Sequence, residues 1–389
     1  MLDKKKPREQ SGRDSYSRYR YQVRSAAIAS LSILEGGDVD MVYCDLHDDF
    51  VIRKFSDGKC RYVFVQVKTN SKQNHNWGLS EIFGLNTRLP KGKKQENEKI
   101  KDSFVGKMLL HTVGFGEHCE AVVFQTNIHS ADVVEEVLAD IASGVFGNKY
   151  SIELLDRFND CFNDSEDELS RSDVENCLSK IGFEHDVYYL KSNEAQFESA
   201  ARDKIYEFSE VDLQRTELRQ IILKLLDLVS SKSSGVITSW DSESIDSLAG
   251  VSIADLLSVL SVSKTAYQEL LSGGDSKAIK SASIIQRSLS KGGADHSAVE
   301  YCSRCKVSWD VWLRTNRHVV RDFDLLEILE RVKDLLYAQM DAKGALNITL
   351  LRGPVESLLS ELHSKGLAYD LDENLLLGCV FSELVKGET

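Results

Sequence analysis

The spacing of apolar residues changes character along this chain, and the change divides it in two. Residues 15–35, SYSRYRYQVRSAAIASLSILE, show the Ala- and Leu-rich spacing of a helix, which Gly36 and Gly37 would stop. Strand patterns follow. MVYCDLHDDFVIRKF and KCRYVFVQVKT are rich in β-branched and aromatic residues and flank Asp57-Gly58, a dipeptide that favours a two-residue hairpin turn. Next come a short amphipathic stretch around 79–89, a lysine-rich loop, and a segment at 103–113 that fits helix or strand. AVVFQTN at 121–127 reads as a buried strand, helical patterns fill 131–181, and DVYYLK at 186–191 reads as one more strand. This order predicts an α/β domain over residues 1–205, a mixed sheet flanked by helices.

From residue 206 to 389 the spacing is helical. Leu218, Ile221, Ile222, Leu225, Leu226 and Val229 form one stripe, and Leu325, Ile328, Leu329, Val332 and Leu336 another. Such stripes serve as core or subunit interface far more often than as ligand sites. No repeat of constant period accompanies them. The second domain is therefore expected to be mostly α-helical and to serve assembly or partner binding.

Length and composition fit this division. At 389 residues the chain exceeds one ordinary core, and its 42% hydrophobic and 28% charged residues are those of a soluble globular protein. With 3 prolines and 24 glycines there is little room for long linkers. The start, MLDKKKPREQSGR, lacks the apolar core of a signal peptide, and no stretch reaches the roughly 18 apolar residues of a membrane span. A cytoplasmic protein is expected. Its eight cysteines are scattered apart from Cys302 and Cys305, so they read as reduced core residues. That lone pair has no second Cys or His pair at zinc spacing and reads as one helix face.

Charge is unevenly spread. The net charge of −13 is the wrong sign for nucleic acid, yet residues 1–24 carry eight basic against three acidic side chains. Residues 86–107 carry seven against three, and acid concentrates elsewhere, as in NDSEDE at 163–168. A basic run is most often solvated surface, and a phosphate-binding patch is the alternative.

The hairpin can be read in register. With Asp57 and Gly58 as the turn, Ser56 pairs with Lys59, and the same register carried along both strands sets Asp49 opposite Gln66. Opposed side chains share a face about 5 Å apart, and Lys68, two residues on, projects from it too. Val63, Val65 and Val67 then form the buried face. A turn of three or five residues would break this alignment. Asp49 and Gln66 offer a charged and a neutral oxygen, which suit Mg²⁺, with Mn²⁺ as the substitute. Lys68 can offset charge on a phosphate or position water. The competing reading makes Gln66 and Lys68 solvent-facing residues of an edge strand.

YRYQ at 19–22, HDDFVI at 47–52 and VQVKTN at 65–70 resemble the anti-phage effector nucleases of the restriction-endonuclease-like PD-(D/E)XK superfamily. They are most similar to the N-terminal DNA endonuclease domain of cyclic-oligonucleotide-activated defence effectors, a domain also found as the nuclease partner of HerA-like hexameric ATPases. The resemblance covers residues 12–200. It implies that Asp49 is the metal-binding aspartate, Gln66 the second ligand, Lys68 the catalytic lysine and Gln22 the polar residue of the first helix. Asp48 is a weaker candidate, because strict alternation turns it to the opposite face.

The effectors of that family follow the nuclease with a nucleotide-sensing α/β domain, whereas this chain continues as helices. That departure favours the ATPase-associated version, with a homo-oligomer and a HerA-like ATPase as partners. No GxxxxGK[ST] occurs, so ATP-driven translocation would need another subunit. LSGGDSKAIKS at 271–281 reads as helix–loop–helix. DNA contact is expected from Arg18, four residues before Gln22, and from Lys93 and Lys94, without base readout. Two alternatives stay open: a non-catalytic DNA-binding or assembly adaptor, and a nuclease gated by a cyclic nucleotide.

Overall fold

The computed structural model describes residues 11–72, 74–89, 93–163, 165, 167–191, 194–208 and 215–387. Lys4, Lys5, Lys6, Arg8 and Lys91 of the basic segments, and Asp164 and Glu166 of the acidic run, lie outside them. The chain forms two compact units. One comprises Met1–Ala201 with Ile222–Ile253, and the other Arg202–Ile221 with Ala254–Thr389. A single cut at 205 therefore does not describe the division, because residues 222–253 return to the first unit.

The first unit begins with α1 (Ser11–Leu31), which runs into a 3₁₀ turn and stops at Gly36 in the left-handed conformation, φ 67°. A meander follows: β1 (Val39–Leu46), β2 (Asp48–Ser56) and β3 (Lys59–Lys68). The short helices α2 (Leu79–Ile82) and α3 (Asn97–Asp102) lead to α4 (Phe104–Gly114) and β4 (Cys119–Thr126). Then come α5 (Asp132–Ser143), α6 (Lys149–Phe162), α7 (Arg171–Ser179) and β5 (Ile181–Glu184). Beyond α8 (Glu194–Phe208) and α9 (Arg215–Ser234), α10 (Ser242–Ala249) delivers β6 (Gly250–Ser252).

The six strands form one sheet in the order β5-β4-β3-β2-β1-β6, with β3, β4 and β5 parallel and the remaining neighbours antiparallel. Asp57 (φ 52°) and Gly58 (φ 75°) both take positive φ, as a type I′ turn requires. The hairpin register is the expected one, running from Ser56↔Lys59 to Phe50↔Val65. On one face Tyr43, Val51, Phe64, Val122 and Phe124 pack beneath buried residues of α4 to α7. Val63, Val65 and Val67 are buried on the other face, and α1 packs against β1, β2 and β3 with Val23, Ala26 and Ala27 buried. The alanines keep that helix close to the sheet.

One strand expectation and one helix expectation need correction. DVYYLK is not a strand. The strand is Ile181–Glu184, Asp186 takes φ 52°, and Tyr188–Leu190 is a 3₁₀ turn. Its aromatic residues serve tertiary packing: the Tyr189 hydroxyl accepts from Gln125 Nε2 at 3.0 Å. The segment after 206 is not wholly helical either, since Val251 of β6 pairs with Val42 and covers the outer edge of β1. Asp246 fastens this return by accepting from the Tyr43 hydroxyl at 2.5 Å and pairing with Arg53 at 3.2 Å.

The second unit contains helices only among its described residues: α11 (Ile253–Val259), α12 (Lys264–Ser272), α13 (Ala278–Lys291), α14 (His296–Asn316), α15 (Asp322–Gln339), α16 (Ile348–Ser364) and α17 (Glu373–Gly387), together with parts of α8 and α9. Residues 271–281 form the helix–loop–helix between α12 and α13. Cys302 and Cys305 lie buried in α14, and buried Lys306 is neutralised by Asp275 and Asp310, each at 2.8 Å. No helix among the described residues is long and apolar enough to cross a membrane.

Candidate active site at the end of the hairpin

The candidate side chains collect where β2 begins and β3 ends. Their geometry departs from regular pleating. Only His47, at φ 62°, separates β1 from β2, and the ladder between β2 and β3 does not extend beyond Phe50↔Val65. In its place Asp49 Oδ2 accepts from the Val67 main-chain N–H at 2.6 Å. Asp48 stays paired to Leu46 of β1, but this end of β2 is released from β3. Asp48, expected on the opposite face, therefore reaches Gln66, whose Nε2 donates to Asp48 Oδ1 at 3.3 Å.

Gln22 of α1 donates from Nε2 to Asp49 Oδ1 at 2.5 Å, so the first helix does supply a polar group to the site. Asp49 is thus held on both oxygens. Burial is nevertheless the largest influence on its carboxyl and pushes it up to about 6, with Asp48 and Asp45 adding repulsion. Lys68 and the Val67 N–H pull the other way. The Lys68 Nζ lies 5.8 Å from the centre of the Phe104 ring, which gives it an apolar floor.

Gln66 supplies the most informative atom. Its Oε1 is buried and has no hydrogen-bond donor among the described residues. A buried amide oxygen left unmet costs free energy unless some group meets it. Asp48 holds the nitrogen end of the same amide, and Asp49, next in the chain, donates its main-chain N–H to that Asp48 oxygen. This all-oxygen set fits a hard divalent cation better than zinc or a soft metal. Among the described residues no group of three or more His, Cys, Asp or Glu side chains gathers as a metal site, so any ion held here would need the Gln66 oxygen as well.

Beyond Lys68 a cleft of about 750 Å³ opens along the ends of β3 and β4. Arg18 and Tyr21 of α1 line it with Thr69, Asn70, Asn127 and Lys191. Asn70 and Asn127 brace its floor, the Asn70 N–H donating to Asn127 Oδ1 and Asn127 Nδ2 to the Asn70 carbonyl, both at 2.9 Å. Arg18 lines this cleft, whose lining includes none of Asp48, Asp49, Gln66 and Lys68. Lys93 and Lys94 are exposed and do not line this cleft.

Sequence reasoning missed His111, whose segment it left between helix and strand. On α4 the ring faces Asp48, Nε2 to Oδ2 at 3.4 Å. Helical spacing across 103–113 could have placed His111 on the buried side, but nothing in the sequence paired it with Asp48. Asn70 and Asn127 went unnoticed as well, because they meet only when β3 and β4 run parallel.

Known proteins add an independent observation. The chain matches no curated protein sequence. Solved structures of the Acinetobacter baumannii Cap4 SAVED/CARF-domain containing receptor resemble it at 13% identity. With the cyclic trinucleotide 3'3'3'-cAAA the TM-score is 0.37, over 75% of this chain and 68% of the receptor. With 2'3'3'-cAAA it is 0.38, over 78% and 60%, and for the receptor described without a nucleotide 0.36, over 74% and 66%. Residues 10–233 match the family model described as Cap4, dsDNA endonuclease domain. That match spans more than half of the chain and takes in the whole hairpin site, so the chain belongs to the Cap4 dsDNA endonuclease domain family.

Proposed function

We propose that this chain is a metal-dependent endonuclease of double-stranded DNA, with Asp49, Gln66 and Lys68 at its reaction centre. The observation that carries the reading is the buried, unmet Gln66 Oε1, on an amide whose nitrogen is held by Asp48, next to the Asp49 carboxylate that Lys68 attracts. Asp49 and Gln66 would hold Mg²⁺ or Mn²⁺, with Asp48 adjacent. The chemistry such an ion supplies is Lewis acidity at the scissile phosphate. Gln22 and the Val67 N–H keep the Asp49 carboxylate in place. Lys68 offsets charge developing on the phosphate oxygens and orients the attacking water. Arg18, in the cleft, contacts backbone phosphate without reading sequence.

The restriction-endonuclease-like classification belongs to the same proposal, supported by three motifs meeting at one end of one hairpin. A role in anti-phage defence rests on the resemblance of those motifs and on the family match. Association with a HerA-like ATPase and homo-oligomerisation through the helical unit rest on the resemblance alone. Co-purification and light scattering test these assemblies.

The direct test is cleavage of supercoiled plasmid with Mg²⁺, Mn²⁺ or EDTA, run beside Lys68→Ala and with a HerA-like partner present. Metal-dependent nicking that Lys68→Ala abolishes supports the reading. No cleavage with the partner bound would favour the adaptor, and cleavage only after a cyclic trinucleotide is added would favour gating.

A further inference from the structure

Asp48 links the two halves of the centre, and the ring that faces it has no part in the reading above. Asp48 Oδ1 accepts from the Asp49 main-chain N–H at 3.0 Å and from Gln66 Nε2 at 3.3 Å. Its other oxygen lies 3.4 Å from His111 Nε2, and both side chains are shielded, at 7% and 16% exposure. The His111 ring stacks on Phe64 with centroids 4.3 Å apart. Phe115 approaches it edge-on at 6.1 Å, and His47 at 6.5 Å. Held on its face and at its edges, the ring keeps Nε2 aimed at Asp48.

We propose that His111 and Asp48 act as positioning residues for the metal site, an inference that rests on the nuclease reading. A glutamine carboxamide turns easily about its last torsion, so either its oxygen or its NH₂ can face a site. An NH₂ would repel a cation. Asp48 removes that ambiguity by taking the nitrogen, which leaves Oε1 for the metal. His111 in turn fixes Asp48, so one carboxylate sets both the Asp49 main chain and the Gln66 amide. Outer partners of this kind change metal affinity by about 10- to 100-fold.

The test is calorimetric Mn²⁺ titration of the full chain, with metal-free melting and plasmid cleavage measured alongside. H111F keeps a ring on Phe64 and removes the nitrogen, whereas H111Q restores an N–H donor at similar reach. We expect H111F to weaken Mn²⁺ binding at least about tenfold. Its metal-free melting temperature should stay within about 2 °C of wild type. H111Q should recover most of the affinity. H111F binding Mn²⁺ like wild type would overturn the proposal. So would an affinity loss that H111Q does not rescue and that a large melting shift accompanies, since that pattern marks a structural residue. K68A separates the two claims. If K68A still cleaves, the assigned reaction centre is wrong, whereas K68A that binds Mn²⁺ without cleaving leaves His111 as the variable. A wild-type chain that binds no Mn²⁺ would overturn both.

Discussion

The Asp49 carboxylate is largely removed from water, and its two hydrogen bonds and Lys68 do not fully compensate. Its pKa rises from 3.8 to about 6. The sign follows from linkage. Below pH 3.8 the group is protonated in folded and unfolded chains alike and costs nothing. Between 3.8 and 6 the unfolded chain ionises first, so stability falls as pH rises, and above 6 the full penalty applies. At about 1.4 kcal/mol per unit, discounted for partial solvent access, that penalty is about 1–2 kcal/mol. Asp49→Asn should therefore melt higher than wild type without metal at pH 7.5, with the difference shrinking toward zero by pH 4. Adding Mg²⁺ should raise the wild-type melting temperature and leave the variant's unchanged. Calorimetry across pH, with and without metal, checks both. A variant less stable at pH 7.5 would contradict the burial argument.

At the scale of elements, α4 carries two groups that flank the site, Phe104 under Lys68 and His111 beside Asp48. Its depth depends on Gly106. A Cβ there would stand 1.9 Å from the Ile100 carbonyl oxygen, so α3 and α4 can meet this closely only without a side chain. Ser103 caps the helix, with Oγ accepting from the Gly106 N–H at 3.0 Å. Gly106→Ala should cost about 1–3 kcal/mol of stability through overpacking. By displacing α4 it should also lower metal-dependent cleavage at temperatures where the variant stays folded. Melting and plasmid nicking measured together test this, and unchanged values for both would show that α3 yields.

For the whole molecule, a net charge of −13 opposes the approach of DNA, so the proposed binding would have to rely on local cations such as Arg18 in the cleft. Affinity measured on the Lys68→Ala protein should fall steeply with salt. Arg18→Ala should reduce the slope of log K against log salt by about one, equally for unrelated DNA sequences. Fluorescence anisotropy at several salt concentrations measures it. An unchanged slope would place the phosphate contacts elsewhere, with Lys93 and Lys94 the next to substitute.

Local signals were enough for much of this architecture. Apolar periodicity specified α1 and the helical run after residue 253, and Gly36 its stop. Asp57-Gly58 specified the turn and hence the register from Ser56↔Lys59 to Phe50↔Val65, because a two-residue turn leaves no freedom to slip. The Asp49–Gln66 pair read from that register does not form, since Asp49 takes the Val67 N–H and Asp48 meets Gln66. The resemblance of three motifs added Gln22. Tertiary structure decided the rest, wherever the partners are far apart in sequence. Asp48 reaches Gln66 where the pairing of β2 with β3 stops, although β1 still pairs with it, a property of strand pairing that residue alternation does not encode. His111 meets Asp48 only once α4 packs on the Phe64 face. Residues 222–253 return to the first unit because the edge of β1 and the Arg53–Tyr43 pair offer Val251 and Asp246 better partners than water does. Sequence spacing records which face of an element is apolar, and only packing determines which distant element covers that face.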